Sequence, residues 1–240
     1  MRHSAWHKNK LANVVVVAGG PGSLGPAPSL ITSANSITSS TNSVSIAFTA
    51  AAGSVVVIAA GCETATATFS SITGISGLGL TWALRSKSTQ TGSTVGQQSE
   101  IWYAVNSGGS ASGTITLSYS STFDDQALVV SSWSGCNLAS PWDTSVVANS
   151  GSSTNPTISL TTTKKYTTGI AFWATINQND AGTWTGWTNI AQPKNTGGTW
   201  FQYANLSYRQ FSATQSSVTV TTPSFANQWT AHGDALVAAT

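Results

Sequence analysis

Histidine and carboxylate side chains are the groups in this chain that could perform acid–base chemistry, and they are few. The 240 residues contain three histidines and seven carboxylates. His232 and Asp234 would share one face of a strand, so a Ser–His–Asp arrangement with one of the many serines is conceivable. The Gly-x-Ser-x-Gly pattern of one such nucleophile does not occur in the sequence. We interpret Ala231-His-Gly-Asp234 as a turn that enters the last strand, and we predict no catalytic residue and no enzyme activity.

Paired carboxylates, which a glycosidase needs, occur as neighbours only at Asp124-Asp125. Adjacent side chains on a strand point apart and make a poor acid–base pair. Two interpretations stay open, a loop calcium site that also uses backbone carbonyls and an exposed turn, and the sequence favours the turn. We therefore predict no metal site and no cofactor. Four further carboxylates have no partner nearby in the sequence: Glu63, Glu100, Asp143 and Asp180.

Cys62 and Cys136 are the only thiols of the chain. They allow two interpretations: two buried thiols that pack as small apolar groups, or one disulfide, because each cysteine follows a strand-like run and a glycine. Neither cysteine has a second cysteine or a histidine at the spacing of zinc ligands. The thiols therefore do not indicate a metal centre.

Aromatic residues in two Gly- and Asn-rich stretches form the strongest local signal. Exposed aromatic faces stack on sugar rings, and neighbouring amides can bond the sugar hydroxyls. The same rings could instead fill a sandwich core, since tryptophan has a large apolar surface. Four other tryptophans lie in or beside strand-like runs and are expected in the core: Trp82, Trp102, Trp133 and Trp173. The candidates for glycan contact are Trp184, Trp187, Trp200 and Tyr203.

The composition describes a β-rich chain with a hydroxyl and amide surface. Only 7% of the residues are charged, against about a quarter in typical domains. Residues 11–240 contain six basic and seven acidic side chains, so the body lacks the basic patch of a nucleic-acid binder. No stretch reaches the roughly eighteen apolar residues of a membrane helix. We expect no nucleic-acid partner and no membrane insertion.

Residues 1–40 stand apart from the body and allow two interpretations. A positive start followed by a short apolar run over Leu11–Ala18 has the order of a secretion signal. The alternative is a basic arm and linker, with a Gly/Pro segment up to Pro28 and a polar spacer over 33–42. In that case its apolar run adds to an edge strand of a neighbour. We favour an assembly arm, whose key residues are Arg2, Lys8, Lys10, Val14, Val15, Val16 and Val17.

Short β-branched and aromatic runs, separated by turn residues, predict an all-β domain over residues 41–240. No window shows sustained helical periodicity. The predicted fold is an antiparallel, jelly-roll-like β-sandwich. Its strands are expected at 44–49, 54–60, 81–86, 99–105, 113–119, 126–133, 157–162, 168–176, 188–193, 200–210, 217–222 and 231–239.

Two segments of the body, about residues 44–136 and 157–239, are similar to one another. Each has an aromatic pair, then an alternating strand, a Phe-containing loop and an Ala-Leu-Val strand. The last of these is Ala127-Leu-Val-Val130 in the first segment and Ala235-Leu-Val237 in the second. We infer an internal duplication, in which each half presents an apolar face that is poorly buried without the other.

The order of several motifs resembles a known family. These include Ala51-Ala-Gly-Ser-Val-Val-Val-Ile-Ala-Ala60, Trp102-Tyr-Ala-Val105, Pro141-Trp-Asp143 and Gly169-Ile-Ala-Phe-Trp173. Over about residues 44–239 the chain is similar to the two-half β-sandwich module of bacteriophage virion proteins and of secreted bacterial surface proteins. The resemblance implies a structural or adhesive role without catalytic residues.

We therefore expect a head decoration, head fibre or tail-associated protein that is located in the virion. Its expected partners are other virion proteins and copies of itself. The alternative is a secreted or virion-borne carbohydrate-binding module that recognises host glycans.

Overall fold

In the computed structural model the chain is an all-β protein, as the sequence predicts. The structure describes residues 25–64, 69–92, 95–143, 146–152, 156–176, 184–195, 202–221 and 228–240. The residues of the predicted arm, from Arg2 to Val17, lie outside these ranges, as does Trp200. Within the described residues no helix is long and apolar enough to cross a membrane.

Thirteen strands are formed by the described residues, and every pairing between them is antiparallel. They are β1 Ser29–Ala50, β2 Ser54–Thr64, β3 Ile72–Ser76, β4 Ala83–Thr91, β5 Gly96–Asn106, β6 Ala111–Ser134, β7 Val147–Gly151, β8 Thr157–Thr162, β9 Thr167–Ile176, β10 Thr188–Ala191, β11 Gln202–Phe211, β12 Gln215–Thr221 and β13 Trp229–Val237.

Two central sheets of five strands each face each other, and the strands of one correspond in order to the strands of the other. Sheet one runs β1-β6-β2-β5-β4, and sheet two runs β7-β13-β9-β11-β10. Strand β1 lies over β10 and β4 lies over β7, so the two sheets are related by an approximate two-fold axis through β2 and β9. A methyl group at Gly61 of β2 would lie 2.5 Å from the Ala174 side chain of β9. Glycine therefore permits the close approach of the central strands at this point.

Each central sheet carries a further layer on its outer face. The long strands β1 and β6 bend, so that residues 43–50 and 111–118 form an outer antiparallel ribbon, which β3 extends along β6. This ribbon packs side chains such as Phe48 and Leu117 against Ile58 of sheet one. The two-stranded sheet β8-β12 covers sheet two in the same way, with Ile158 and Val220 packed against Trp173.

The apolar core therefore lies in three layers, of which the central one joins the two sheets. Val57, Val129 and Trp133 of sheet one meet Phe172 and Leu206 of sheet two. Burying side chains of this size stabilises the fold by roughly 1.5–3 kcal/mol each. Trp133 and Trp173 are fully buried, whereas Trp82 and Trp102 pack only partly buried against the outer cluster.

The prediction of a polar spacer over residues 33–42 is wrong, because these residues belong to β1. Residues 29–41 pair with residues 123–134 of β6, and the boundary placed at residue 40 falls inside this strand. The chain bends there, with a left-handed φ of 52° at Ser40 and a shift of register between Thr41 and Ser43. Serine and asparagine are poor strand formers in isolation, but main-chain pairing to β6 supplies the missing stabilisation.

Candidate functional site

The layer between the two sheets holds most of the polar side chains that the sequence singles out. On the β6 and β11 side this layer is apolar and contains Val129, Ala204 and Leu206. On the β13 and β5 side the corresponding positions are hydrogen-bonded polar groups, among them His232 and Ser99. The His232 network therefore lies inside the sandwich, on the β13 and β5 side of its approximate axis.

His232 lies in the middle of β13, so the interpretation of residues 231–234 as a turn is wrong. Its ring is buried and bonded at both nitrogens: Nδ1 lies 2.8 Å from Ser86 Oγ, and Nε2 lies 2.7 Å from Ser99 Oγ. Ser99 Oγ also lies 2.7 Å from Thr230 Oγ1. Burial lowers the pKa of His232 to about 4. The imidazole is therefore neutral at physiological pH and links β13 to β4 and β5.

Asp234 is bonded to an arginine instead of to His232. Arg85 Nε donates to Asp234 Oδ2 at 2.5 Å, and Arg85 Nη2 donates to Oδ1 at 3.2 Å. Burial raises the pKa of Asp234 to about 6, although the bonds from Arg85 act in the opposite direction. The guanidinium also lies 5.3 Å from the ring centre of Trp142. The arrangement does not form a Ser–His–Asp triad, because the carboxylate does not orient the histidine.

Asp143 extends this ion pair to the loop between β8 and β9. Its main-chain carbonyl accepts from Arg85 Nη2 at 2.9 Å. Its carboxylate accepts from Thr163 N and Lys164 N at 2.7 and 3.0 Å, and from Thr163 Oγ1 at 2.5 Å. Arg85 and Asp143 thus tie the edge of sheet one to two segments of the second half of the chain.

Glu63 lies at the C-terminal end of β2, on the face that meets sheet two. Its register partners are Gln97 of β5 and Asp125 of β6. The side chain is fully buried, and neither carboxyl oxygen has a hydrogen-bond partner within the described part of the chain. Burial, followed by the charges of Asp125 and Asp124, raises the pKa of Glu63 to about 8. The carboxyl group is therefore mainly protonated at neutral pH.

Asp124 and Asp125 both lie within β6, so the exposed turn predicted for them is wrong. Asp124 is exposed and Asp125 is buried, as the alternation of a strand requires. Asp125 Oδ1 accepts from Ser39 Oγ at 2.6 Å and from Asn195 Nδ2 at 2.5 Å. Burial raises the pKa of Asp125. These bonds close the sandwich where β1 lies over the end of β10.

Cys62 and Cys136, both within the described residues, are free and buried thiols. Cys62 packs in the outer cluster of sheet one, and Cys136 packs in the layer between the sheets. The disulfide alternative is therefore wrong, since the two side chains lie on opposite faces of sheet one. Burial raises the pKa of Cys136 to about 12 and that of Cys62 still further. Neither thiol is ionised at neutral pH.

Glycan contact is ruled out by burial for two of the four predicted aromatic residues. Trp184 and Tyr203 are only 4% and 2% exposed, and they pack with Trp173 on the outer face of sheet two. Aromatic side chains in such a cluster contribute packing and have no face free for a sugar ring. Trp200 lies outside the described residues. Trp187 is the one described candidate that keeps a partly exposed ring.

Trp187 is held in place by a tight turn at the edge of a groove. Trp187 N donates to Trp184 O at 3.0 Å, and Gly186 has a left-handed φ of 80°, as the third residue of a type II turn requires. The ring meets Phe211 edge-to-face at 6.4 Å. The groove beside it has a volume of about 240 Å³ and is lined by Trp184, Thr185, Trp187, Thr219, Val220 and Thr221.

In the described part of the chain no three His, Cys, Asp or Glu side chains are placed so that they could hold a metal ion. His232 and Asp234 are internal cross-links, while the Trp187 groove is open to solvent and offers an aromatic face beside threonine hydroxyls. Comparison with protein-family models, curated proteins and solved structures gives no match for this chain. What is established is an all-β protein with two antiparallel sheets that form a sandwich.

Sequence reasoning missed the residues that complete the internal network. Arg85, Ser86 and Ser99 lie more than a hundred residues from their partners in β13. One signal in the sequence was available: Arg85 interrupts a strand-like run in a chain with only nine basic residues. A charge in such a position is seldom buried unless it is paired.

Proposed function

We propose that the chain is a non-enzymatic structural protein of a phage particle, a head decoration, head fibre or tail-associated component anchored by its N-terminal arm. The observation that carries the structural role is the use of its polar chemistry for internal cross-linking. His232 joins two serines across the sheets, and Arg85 joins two carboxyl-bearing segments. The assignment to a phage particle rests on the family resemblance of the motifs over residues 44–239.

The way the chain enters the sandwich supports an anchor at the N-terminus. Gly25 N donates to Ala239 O at 3.0 Å, and Pro28 O accepts from Thr168 Oγ1 and from Gln210 Nε2 at 2.5 and 2.9 Å. The described chain is thus fixed to the body from Gly25 onward. A load on residues 1–24 would pass directly into β1 and sheet two.

Particle association tests the proposal. The phage that encodes the chain would be purified with the complete gene and with a deletion of residues 2–24, and the chain in the particles would be quantified by mass spectrometry. We expect the complete chain in the particles and the deletion variant in the unassembled fraction. Absence of the complete chain from purified particles contradicts the structural role. Equal incorporation of both forms contradicts the anchoring role of the arm.

A carbohydrate-binding role is the second candidate, and the Trp187 groove favours it. The groove combines a partly exposed indole with the hydroxyls of Thr185, Thr219 and Thr221. An aromatic face with nearby hydrogen-bonding groups suits a sugar ring. Binding at this groove is compatible with a particle component that contacts the host surface.

A glycan-array screen with matched variants tests this second role. We expect Trp187→Ala to abolish any signal, since it removes the stacking face. Leu84→Ala, which truncates an exposed apolar residue on sheet one, is the control and is expected to leave binding unchanged. A signal that survives Trp187→Ala assigns the binding to another surface, and no signal with the unmodified chain rejects the role.

A further inference from the structure

Strand β1 presents an unusually long free edge. It pairs with β6 along one side, and within the described residues it has no partner along the other side. The strand spans 22 residues, Ser29–Ala50. Its sequence SLITSANSITSSTNSVSIAFTA contains no Lys, Arg, Asp, Glu, Pro or Gly. Unpaired N–H and C=O groups on a long, uncharged edge are a template for another strand.

The other edge strands of the described structure are short or charged. Strands β3 and β7 have five residues each, and β10 has four. Strand β4 has nine, but it carries Arg85 and Lys87, and its Ser88 Oγ donates to Asn149 O of β7 at 2.9 Å. In the outer layer of sheet two β8 and β12 have six and seven residues. Proteins block edge pairing with short edge strands and with charged side chains. Strand β1 is long and uncharged, so neither protects it.

The first part of β1 is also poorly covered on its two faces. Between Ser29 and Ser43 no residue is fully buried. Ile31 and Ile37 are 45% and 39% exposed. Where the two parts of the bent strand diverge they border a groove of about 560 Å³, lined by Thr32, Ser33, Ala34, Ala47, Phe48, Thr49, Gly113 and Thr114. This part of the strand is held mainly by its bonds to β6, so a second neighbour would stabilise it.

We propose that residues 29–40 of β1 pair antiparallel with the same residues of a second copy, which joins two first sheets into one continuous sheet. The occupant is a copy of this chain for two reasons. A neutral edge meets itself across a two-fold axis without like-charge repulsion. No other free edge of the described strands matches its length. The inference deepens the proposed structural role, which brings many copies together, but it does not depend on the arm.

Serine and threonine side chains can strengthen such a pair. On its β6 side, β1 already makes hydroxyl pairs of this kind: Ser45 Oγ lies 2.8 Å from Thr116 Oγ1, and Thr49 Oγ1 lies 2.9 Å from Ser112 Oγ. Cross-strand pairs of Ser and Thr stabilise antiparallel sheets. Residues 29–40 contain seven hydroxyl side chains for the same purpose.

Light scattering with size-exclusion chromatography tests the proposal on the full chain across a concentration series. We expect twice the chain mass for the unmodified protein. Ile31→Lys combined with Ile37→Lys should raise the dissociation constant of the dimer by at least about tenfold, because like charges then face each other. Leu84→Lys adds a charge at a comparably exposed residue of the charged edge β4 and should leave the dimer intact. Circular dichroism would establish that each variant is folded.

Hydrogen exchange on the unmodified full chain provides a second readout that needs no variant. Amides of residues 29–40 should exchange more slowly as the concentration rises, while those of β4 should not change. A monomer at every concentration overturns the proposal, as does an oligomer that the double lysine variant leaves intact. An oligomer that is lost only on deletion of residues 2–24 also overturns it and makes the arm the occupant. A monomer that still enters phage particles leaves the proposed function standing, so the two failures are distinguishable.

Discussion

The two sides of the layer between the sheets have the same backbone but opposite chemistry. Gly61 of β2 lies against Ala174 of β9, so Ala59 and Phe172 are counterparts about the approximate axis. Val129 pairs with Ala59 and His232 pairs with Phe172, so Val129 and His232 occupy equivalent positions in the two sheets. The Ala-Leu-Val strands that the sequence matches, at 127–130 and 235–237, are therefore out of register with one another. Ser99 of β5 and Ala204 of β11 are related in the same way. One side thus buries valine against alanine, where the other buries histidine against serine.

This difference shows that the architecture accepts either an apolar or a hydrogen-bonded interface. Apolar packing is non-directional, whereas hydrogen bonds at both ring nitrogens of His232 require a defined placement of β13 against β4 and β5. We infer that the polar side fixes the register between the sheets, while the apolar side supplies most of the free energy of packing. Variants that replace polar residues of one side with the apolar residues of the other test these two roles.

Among the changes to the polar side, the largest effect is expected from Arg85→Met, which breaks its ion pair. The change leaves the Asp234 carboxylate buried without its cation, and we expect a loss of about 3 kcal/mol in the free energy of unfolding, measured by urea denaturation. Lys87→Met is the matched control, because its ammonium is 4.0 Å from Glu100 and its side chain is 38% exposed. The control should change stability by less than about 1 kcal/mol. Equal losses would contradict a special role for the Arg85–Asp234 pair.

A smaller loss is expected from His232→Val, which copies Val129 into the second half. The Ser86 hydroxyl loses its partner and the Ser99 hydroxyl keeps only Thr230, at a cost of about 2 kcal/mol at neutral pH. Adding Ser99→Ala, which copies Ala204, should recover part of that loss. If the double variant is less stable than His232→Val alone, the two halves are not interchangeable at this point.

The same histidine predicts an acid dependence. Its pKa is lowered from 6.5 to about 4 in the folded state, so the unfolded chain binds more protons between these values. The stability that His232 contributes should therefore be lost as the pH falls from about 6.5 to 4. His232→Val should lack this contribution, which denaturation at a series of pH values would measure. An unchanged acid dependence would contradict the neutral, buried imidazole.

Glu63→Ile should stabilise the protein, because the register of β2 and β9 makes Ile176 its counterpart in the second half. The raised pKa of Glu63 means that the unfolded chain releases a proton that the folded chain keeps, so stability falls as the pH rises from about 4.5 to 8. We expect a gain of about 1–3 kcal/mol at pH 8 that shrinks below pH 4.5. Glu63→Gln controls for volume, and a gain that does not vary with pH would contradict the explanation.

The smallest effect on stability is expected at Trp187, whose ring is only partly buried. Trp187→Ala should cost about 1 kcal/mol, through lost ring contacts with Trp184 and Phe211. Trp184→Ala, in the same turn but buried, should cost about 3 kcal/mol or more. Thermal melts of the two variants measure this contrast. Equal losses would show that Trp187 is a core residue, which would weaken the carbohydrate-binding candidate.

Prediction from sequence succeeds for strands with an apolar run or an alternating pattern, such as β2, β8 and β12, and fails for strands that have neither. Val55–Ala60 and Phe172-Trp173 are β-branched or aromatic runs, and both lie in central strands. Residues 29–43 have no such run, since their strand depends on pairing with β6. Strand β7 was missed for the same reason, because its five residues are stabilised by β13 instead of by their own propensity.

The candidate site was harder to predict than the fold, because the type of a residue does not determine how exposed its side chain is. Trp184 and Trp187 are three residues apart in one Gly-containing turn beside one groove, yet Trp184 is buried and Trp187 is partly exposed. Burial depends on whether β8 and β12 cover a given part of sheet two. A sequence pattern of aromatic and amide residues describes both cases equally well.

The sequence by itself determined that this chain folds as antiparallel strands with a sparsely charged surface, because strand periodicity and turn residues act over a few neighbouring positions. Only the tertiary structure decided which polar groups meet, since Ser86 and His232 are 146 residues apart. It also decided that Cys62 and Cys136 face opposite sides of one sheet, and that β1 is left with a free edge. Such contacts follow from the stacking of whole sheets, which no local pattern encodes.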